Sequence, residues 1–313
     1  MMFTYEHLFG SKPKHYVSPL EKGDHPELDT SEILDFDGVQ KYQSLIGALQ
    51  WVIQIGRFDV GTAVMTLSGF RAEPRKGHLE RVKRIYGYLS KMRHSTIRIR
   101  TQEPDLSSIP EDSYEWERTV YAGAEEQLPT DAPSPKGQPV IMTTYADANL
   151  YHDLITGKSV TGTLNFFNKT PVDWYCKKQS TVENATYSSE FNAARTAVER
   201  CLGNRLTLRY LGVPIKGASF LFGDNRSVVD SATIPHSKLK KRHVALAYHK
   251  VREAIAAKVI RFHHIETAEN PADILSKHWG YQQVWPLMQP ILFWQGNTAD
   301  IPISGSSREM KGE

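Results

Sequence analysis

The chain has 313 residues, 40% of them hydrophobic and 23% charged, with a formal net charge of +3. That length suffices for two domains of ordinary size, and no apolar run approaches what a bilayer span requires. The start from Met1 to Gly10 has no basic segment followed by an apolar one, and Cys176 and Cys201 alone make neither a disulfide framework nor a thiolate zinc cage; a soluble, intracellular chain in a reducing compartment is expected.

Residues 1–35 are polar and broken by Pro and Gly, and read as an extended lead-in. Between 36 and 100, three helices are predicted. Tyr42, Leu45, Ile46, Leu49, Val52 and Ile53 recur at three- and four-residue spacing, Val60, Val64 and Leu67 mark a second helix, and Leu79, Val82, Ile85, Tyr86 and Leu89 mark a third. Together they predict a small helical bundle with a basic outer face. From Arg71 to Arg100 the balance of charge is about +8, and from Glu103 to Asp131 it is about −8. The acidic stretch 101–139 holds six prolines and reads as a linker.

From residue 140 the pattern changes to a mixed α/β order. Strands are predicted at Val140–Ala146, Val160–Phe167 and Pro171–Lys178, the last two joined by a turn at Asn168, then a long helix from Tyr187 to Leu211. A strand at Ala218–Phe222, a short helix from Asn225, a basic helix from Lys240 to Lys258, a strand at Val259–Ile265 and a helix from Pro271 follow. The first and fourth strands should be parallel neighbours, because a helix crosses between them. Residues 298–313 read as a disordered tail.

Four carboxylates stand out in this order. Asp147 and Asp224 end strands expected to be adjacent, where open α/β sheets build their sites, and Glu190 and Asp273 begin helices that must pack on that sheet. Each has an ordinary reading too. Asp224 could cap the helix after it, Asp273 could serve a helix dipole, Glu190 could be first-turn charge and Asp147 a turn residue. Jointly they point to divalent cations, since crowded carboxylates stay ionised only with a cation among them. Mg²⁺ prefers such oxygens, and two ions roughly 3.5–4 Å apart can clamp an attacking water and a leaving oxygen.

Other candidates are weaker. Gly157-Lys158-Ser159 echoes a phosphate loop, but His152 stands where that loop needs Gly. His263 and His264 on one strand point to opposite faces, one packed and one exposed, which argues against a zinc pair. His243 and His249 sit on a basic helix and read as surface or phosphate contacts. Ser227 and Ser276 have no His/Asp arrangement around them. Trp174, Tyr175 and Trp279 read as packing residues rather than base-stacking platforms.

The stretch Tyr145 to Lys277 resembles the ribonuclease H domain of copia-type retrotransposon polyproteins. The likeness is carried by Tyr145-Ala-Asp-Ala-Asn149, Lys177-Lys-Gln-Ser-Thr-Val-Glu183, Ser188-Ser-Glu-Phe-Asn-Ala-Ala194, Gly223-Asp-Asn-Arg-Ser227, Lys241-Arg-His243, Tyr248 to Glu253, and His264 to Lys277. Upstream, Tyr42 to Trp51, Arg57-Phe-Asp59 and His78 to Leu89 look like the connection that follows the polymerase core of those polyproteins. The resemblance implies a ribonuclease H-like mixed five-stranded sheet flanked by helices over residues 140–297, preceded by a helical bundle, and hydrolysis of the RNA strand of RNA–DNA hybrids. Its four metal ligands fall on Asp147, Glu190, Asp224 and Asp273. Asp147 and Asp224 would bridge two Mg²⁺ ions, with Mn²⁺ able to substitute, Glu190 would hold one ion beside the scissile 2′-hydroxyl, and Asp273 would complete the other. No small-molecule cofactor is implied. Asn149 replaces a frequent Asp, and Ser188-Ser189 a frequent Glu-Ala, without removing a ligand.

Asn225, Lys240, Lys241, Arg242, His243, Arg81 and Arg84 are the expected contacts to the hybrid, and a role for His264 in product release is a minor candidate. The chain has no Tyr-x-Asp-Asp motif, so it reads as a carboxy-terminal fragment without polymerase activity, with the polymerase portion as a partner. Two rivals remain: a nucleic-acid-binding fragment that does not turn over, and a nuclease of the same fold acting on DNA ends.

Overall fold

The computed structural model describes residues 2–111 and 114–294, and the predicted tail lies outside them. The chain opens with helix α1 (Met2–Phe9), which the sequence pattern does not announce. Tyr5 is buried with its ring 5.3 Å from that of Tyr86. The residues after α1 lie so close on the bundle that a Cβ at Gly87 would stand 1.9 Å from the Lys14 carbonyl. The lead-in is therefore part of the bundle's packing.

Helix α2 (Phe36–Gln54) starts at Asp35, whose carboxylate accepts from the Gly38 amide at 2.9 Å. It buries Tyr42, Leu45, Ile46, Leu49 and Val52, one stripe at helical spacing. Helices α3 (Gly61–Ser68) and α4 (Lys76–Lys91) complete the bundle, and α4 buries Val82, Ile85, Tyr86 and Leu89. A short strand β1 (Ser95–Ile97) follows. The described part of 101–139 has no helix or strand of its own before the bridge at Val140, yet it is anchored. Glu126 pairs with Arg205 and Arg209 at 2.8 and 2.6 Å, and Trp116 lies 4.8 Å from the Arg252 guanidinium.

The second half holds β2 (Met142–Asn149), β3 (Lys158–Phe167), β4 (Thr170–Val182), α5 (Thr186–Tyr210), β5 (Ser219–Gly223), α6 (Arg226–Thr233), α7 (Ala245–Ala256) and β6 (Ile260–His264). The sheet order is β4-β3-β2-β5-β6. β2 pairs antiparallel with β3 and parallel with β5, as the crossover requires. At the β3–β4 turn, Asn168 takes a φ of +53° and its side chain accepts from the Ile141 amide at 3.0 Å. The predicted final helix is only α8 (Asp273–Ser276), followed by α9 (Tyr281–Met288) and β7 (Leu292–Trp294), which pairs antiparallel with β1.

The two faces of the sheet have different covers. Met142, Ala146, Leu221 and Phe262 pack against Phe191, Ala194, Val198 and Cys201 of α5 and Val251 of α7. Burying one such side chain as large as Phe191 stabilises by about 1.5–3 kcal/mol. Leu164 and Phe166 pack instead into the bundle core, together with Ile274, Leu275 and Trp279. The fold class is thus a mixed five-stranded sheet flanked by helices and preceded by a helical segment, as expected. Among the described residues, no helix is long and apolar enough to cross a membrane.

Candidate metal centre

β2 and β5 end side by side, which brings Asp147 and Asp224 together, and α5 delivers Glu190 to them from near its N-terminal end. Carboxylate oxygens of Asp147, Glu190 and Asp224 all lie within 4.8 Å of one another. Asp147 is 1% and Glu190 7% exposed. The helix cap that Asp224 could have supplied comes from Asn225, whose side chain accepts from the Val228 amide at 3.2 Å. Asp224 is thus left to the cluster, and Asn225 serves the start of α6.

Asp273 lies one step outside this trio. The Asn270 side chain accepts from the Ala272 amide at 3.1 Å and donates to the Ala146 carbonyl at 3.0 Å, tying the start of α8 to β2. Lys277, four residues on, reaches Asp273 at 2.6 Å and Asp147 at 3.3 Å, and the Ser276 hydroxyl donates to the other Asp147 oxygen. Gly162, opposite Asp147 in the β2–β3 register, makes this approach feasible. A Cβ there would stand 2.7 Å from the Ala272 carbonyl. In the sequence Ser276 stood only as a discarded nucleophile and Lys277 only as the end of the matching stretch. The i, i+4 spacing of Asp273 and Lys277 was the available signal.

The electrostatics match the crowding. Burial pushes the Asp147 carboxyl up to about 6; Lys277 and the Ser276 hydroxyl pull it down, and Asp273 pushes it further up. Burial, then Asp147 and Asp224, hold Glu190 well above the usual carboxylate range. Burial and Asp147 raise Asp224. The donor set is all oxygen, inward-facing and short of positive charge beyond Lys277, which fits a hard divalent cation such as Mg²⁺ or Mn²⁺.

The expected nucleic-acid contacts divide. Lys240, Lys241 and Arg242 are exposed just before α7. His243 is half-exposed, with Nε2 3.0 Å from buried Glu183 and 3.1 Å from the Ser188 hydroxyl. A cleft of about 580 Å³ between the end of β4, α5 and this segment is lined by Lys177, Gln179, Asn192, Arg195 and His243. Arg81 and Arg84 are placed otherwise. Arg81 donates twice to Asp24 and once to Asp29, and Arg84 donates to Glu21 and Ser18. At these two positions the guanidinium groups are held in ion pairs with the lead-in. Arg252 is likewise buried, donating to the Ser231, Ile234 and Pro235 carbonyls. His263 is buried and His264 half-buried, 3.1 Å from the Asp224 carbonyl.

The sheet is thus a three-stranded antiparallel meander extended by two parallel strands, with acids at the carboxyl ends of the neighbouring strands β2 and β5. No protein-family model matches the chain. Its homologues include retrovirus-related Pol polyproteins of copia-type transposons. Transposon TNT 1-94 of Nicotiana tabacum is 25% identical over 236 residues, 75% of this chain and 15% of the polyprotein. Transposon RE1 of Arabidopsis thaliana is 23% identical over 76% of this chain and 14% of the polyprotein. The chain thus spans about 15% of the length of these polyproteins. Among solved structures, the N-terminal RNase H domain of Rv2228c from Mycobacterium tuberculosis overlays 48% of this chain and 97% of that domain, with a TM-score of 0.35 and 14% identity.

Proposed function

We propose that the chain is a divalent-cation-dependent ribonuclease H that hydrolyses the RNA strand of RNA–DNA hybrids. The observation that carries this reading is the convergence of Asp147, Glu190 and Asp224 within 4.8 Å at the ends of adjacent strands. These three would hold cations, Mg²⁺ or Mn²⁺, with Asp273 adding a fourth carboxylate from α8. Bound there, two ions supply Lewis-acid stabilisation of charge on the phosphoryl group.

The chain's own residues do the rest. Ser276 fixes one Asp147 oxygen and the Asn270 amide fixes the Ala146 carbonyl, so the strand end cannot rotate away. Lys277 offsets part of the negative charge and orients Asp273. Glu190, near the start of α5, would read the 2′-hydroxyl that separates RNA from DNA. Lys240, Lys241 and Arg242 would follow phosphates without reading sequence, and the copia-type relatives support the polymerase portion of a polyprotein as the partner that presents the hybrid.

The test is cleavage of labelled hybrid by purified protein in Mg²⁺ and in Mn²⁺. Asp147→Asn should lower the rate by at least about 100-fold while hybrid binding persists. Full activity in that variant would refute the assignment. Binding without cleavage by the wild type in both metals would select the non-catalytic binding fragment, and cleavage of DNA duplex alone would select the DNA-end nuclease.

A further inference from the structure

The acids of the cluster have unequal support. Asp147 and Glu190 belong to an eight-residue strand and a 25-residue helix. Asp273 and its neighbour Ser276 lie on α8, which is four residues long. A helix that short has no stability of its own, so its place is set by what touches it.

Much of what touches it belongs to the bundle. Thr62 and Thr66 of α3 are one turn apart on one face, and both are buried. The Thr62 hydroxyl donates to the Ile274 carbonyl at 3.1 Å, the residue directly after Asp273. The Thr66 hydroxyl lies 3.0 Å from Nε2 of His152, and the other ring nitrogen of His152 lies 3.0 Å from the side-chain nitrogen of Asn149, two residues beyond Asp147. The His152 ring also packs 4.7 Å from that of His278, directly after Lys277. Ile274 and Leu275 bury their side chains in the bundle core. One helix face therefore touches both segments that meet at the acids: α8 directly, and the end of β2 through His152.

We propose that Thr62 and Thr66 are positioning residues of the nuclease, the bundle helix α3 setting how α8 stands against the end of β2 and thereby where Asp273 and Lys277 meet Asp147. The catalytic consequence rests on the ribonuclease reading above. The bundle is then a structural part of the nuclease centre, not only its tether to a polymerase. A misplaced carboxylate or a lost outer partner of a metal ligand weakens cation binding and turnover while leaving substrate contacts elsewhere alone.

The experiment uses the full chain with Thr62→Val, Thr66→Val and, as hydroxyl-retaining controls, Thr62→Ser and Thr66→Ser. Amide hydrogen exchange over residues 270–278, without cation or substrate, reads the clasp directly. Steady-state cleavage of hybrid against Mg²⁺ concentration reads its consequence. The valine variants should exchange several-fold faster over 270–278 with α5 unchanged, lose about 10-fold in kcat and in apparent Mg²⁺ affinity, and keep KM for hybrid; the serine variants should restore all three. Should Thr62→Val fail to fold, Thr66→Val, whose partner is a side chain, carries the test. Exchange over 270–278 equal to wild type in a folded valine variant overturns the clasp. Faster exchange with unchanged kcat and Mg²⁺ dependence overturns its catalytic consequence. A wild type that cleaves no hybrid in either metal removes the ribonuclease reading and that consequence with it, while the exchange result still decides the clasp.

Discussion

Two basic stretches of similar composition have opposite fates in this molecule. The stretch along α4 is rich in Lys and Arg, but Arg81 closes on Asp24 and Asp29, Arg84 on Glu21, Lys76 on Glu32 and Lys83 on Glu80. The stretch before α7 leaves Lys240, Lys241 and Arg242 exposed, and among the described residues no carboxylate pairs with any of the three. The acidic segment behaves like α4, with Glu126 held on Arg205 and Arg209 and Glu103 on Lys216. Charge density along a sequence therefore does not measure charge available to a partner. What matters is whether an acid from elsewhere in the chain has already closed on it.

That contrast can be broken by experiment, in descending order of effect on stability. Glu126→Ala removes the carboxylate from Arg205, which is only 4% exposed, and should destabilise by about 3 kcal/mol in urea unfolding. The same pair sets an acid dependence. Burial raises the Glu126 carboxyl, but Arg205 and Arg209 outweigh it and hold it below its ordinary value of 4.5. A lowered carboxyl contributes stability that is complete above the ordinary value and fades as pH falls through the folded one. Wild type should thus lose, below about pH 4.5, an increment that the alanine variant lacks at every pH; parallel pH profiles would show that the pair contributes nothing.

Arg81→Ala should cost about 1–2 kcal/mol by removing donors from two acids in the lead-in, and should leave hybrid affinity unchanged. Weaker hybrid binding without unfolding would place Arg81 on the nucleic acid after all. The triple change of Lys240, Lys241 and Arg242 to Ala should move stability by less than about 0.5 kcal/mol. It should reduce the slope of log affinity against log salt by about 3, one for each lost phosphate contact. An unchanged slope would leave the exposed segment without its expected role.

Much of the sheet was legible in the chain because local rules set it. The run of apolar residues before Asp147, the helical spacing after Glu190 and the crossover between β2 and β5 each constrain the next step, and together they place three acids at one end. What escaped reading depends on distant partners. The three-residue strands β1 and β7 carry no period and find each other only in the fold. Helix α1 is short and only weakly one-sided, so its burial of Tyr5 against Tyr86 had no sequence signal. Asp24, Asp29 and Glu21 gave no sign that they would neutralise arginines on α4. The helix expected after Pro271 is cut to α8 because the chain turns at Lys277 to deliver its ammonium to Asp147 and Asp273. The second cover of the sheet, supplied by the bundle, is a tertiary contact that no spacing encodes.

The shared apolar core between the bundle and the sheet also has a consequence for biosynthesis. Helices α2 to α4 leave the ribosome before any of their partners in the second half exists: Leu164 and Phe166 of the sheet come much later, and Ile274, Leu275 and Trp279 later still. The nascent chain must therefore carry an uncovered apolar surface until those residues are made, the state that recruits chaperones and seeds aggregation. β1 waits longest, since its strand partner among the described residues, Leu292–Trp294, is made last among the described elements.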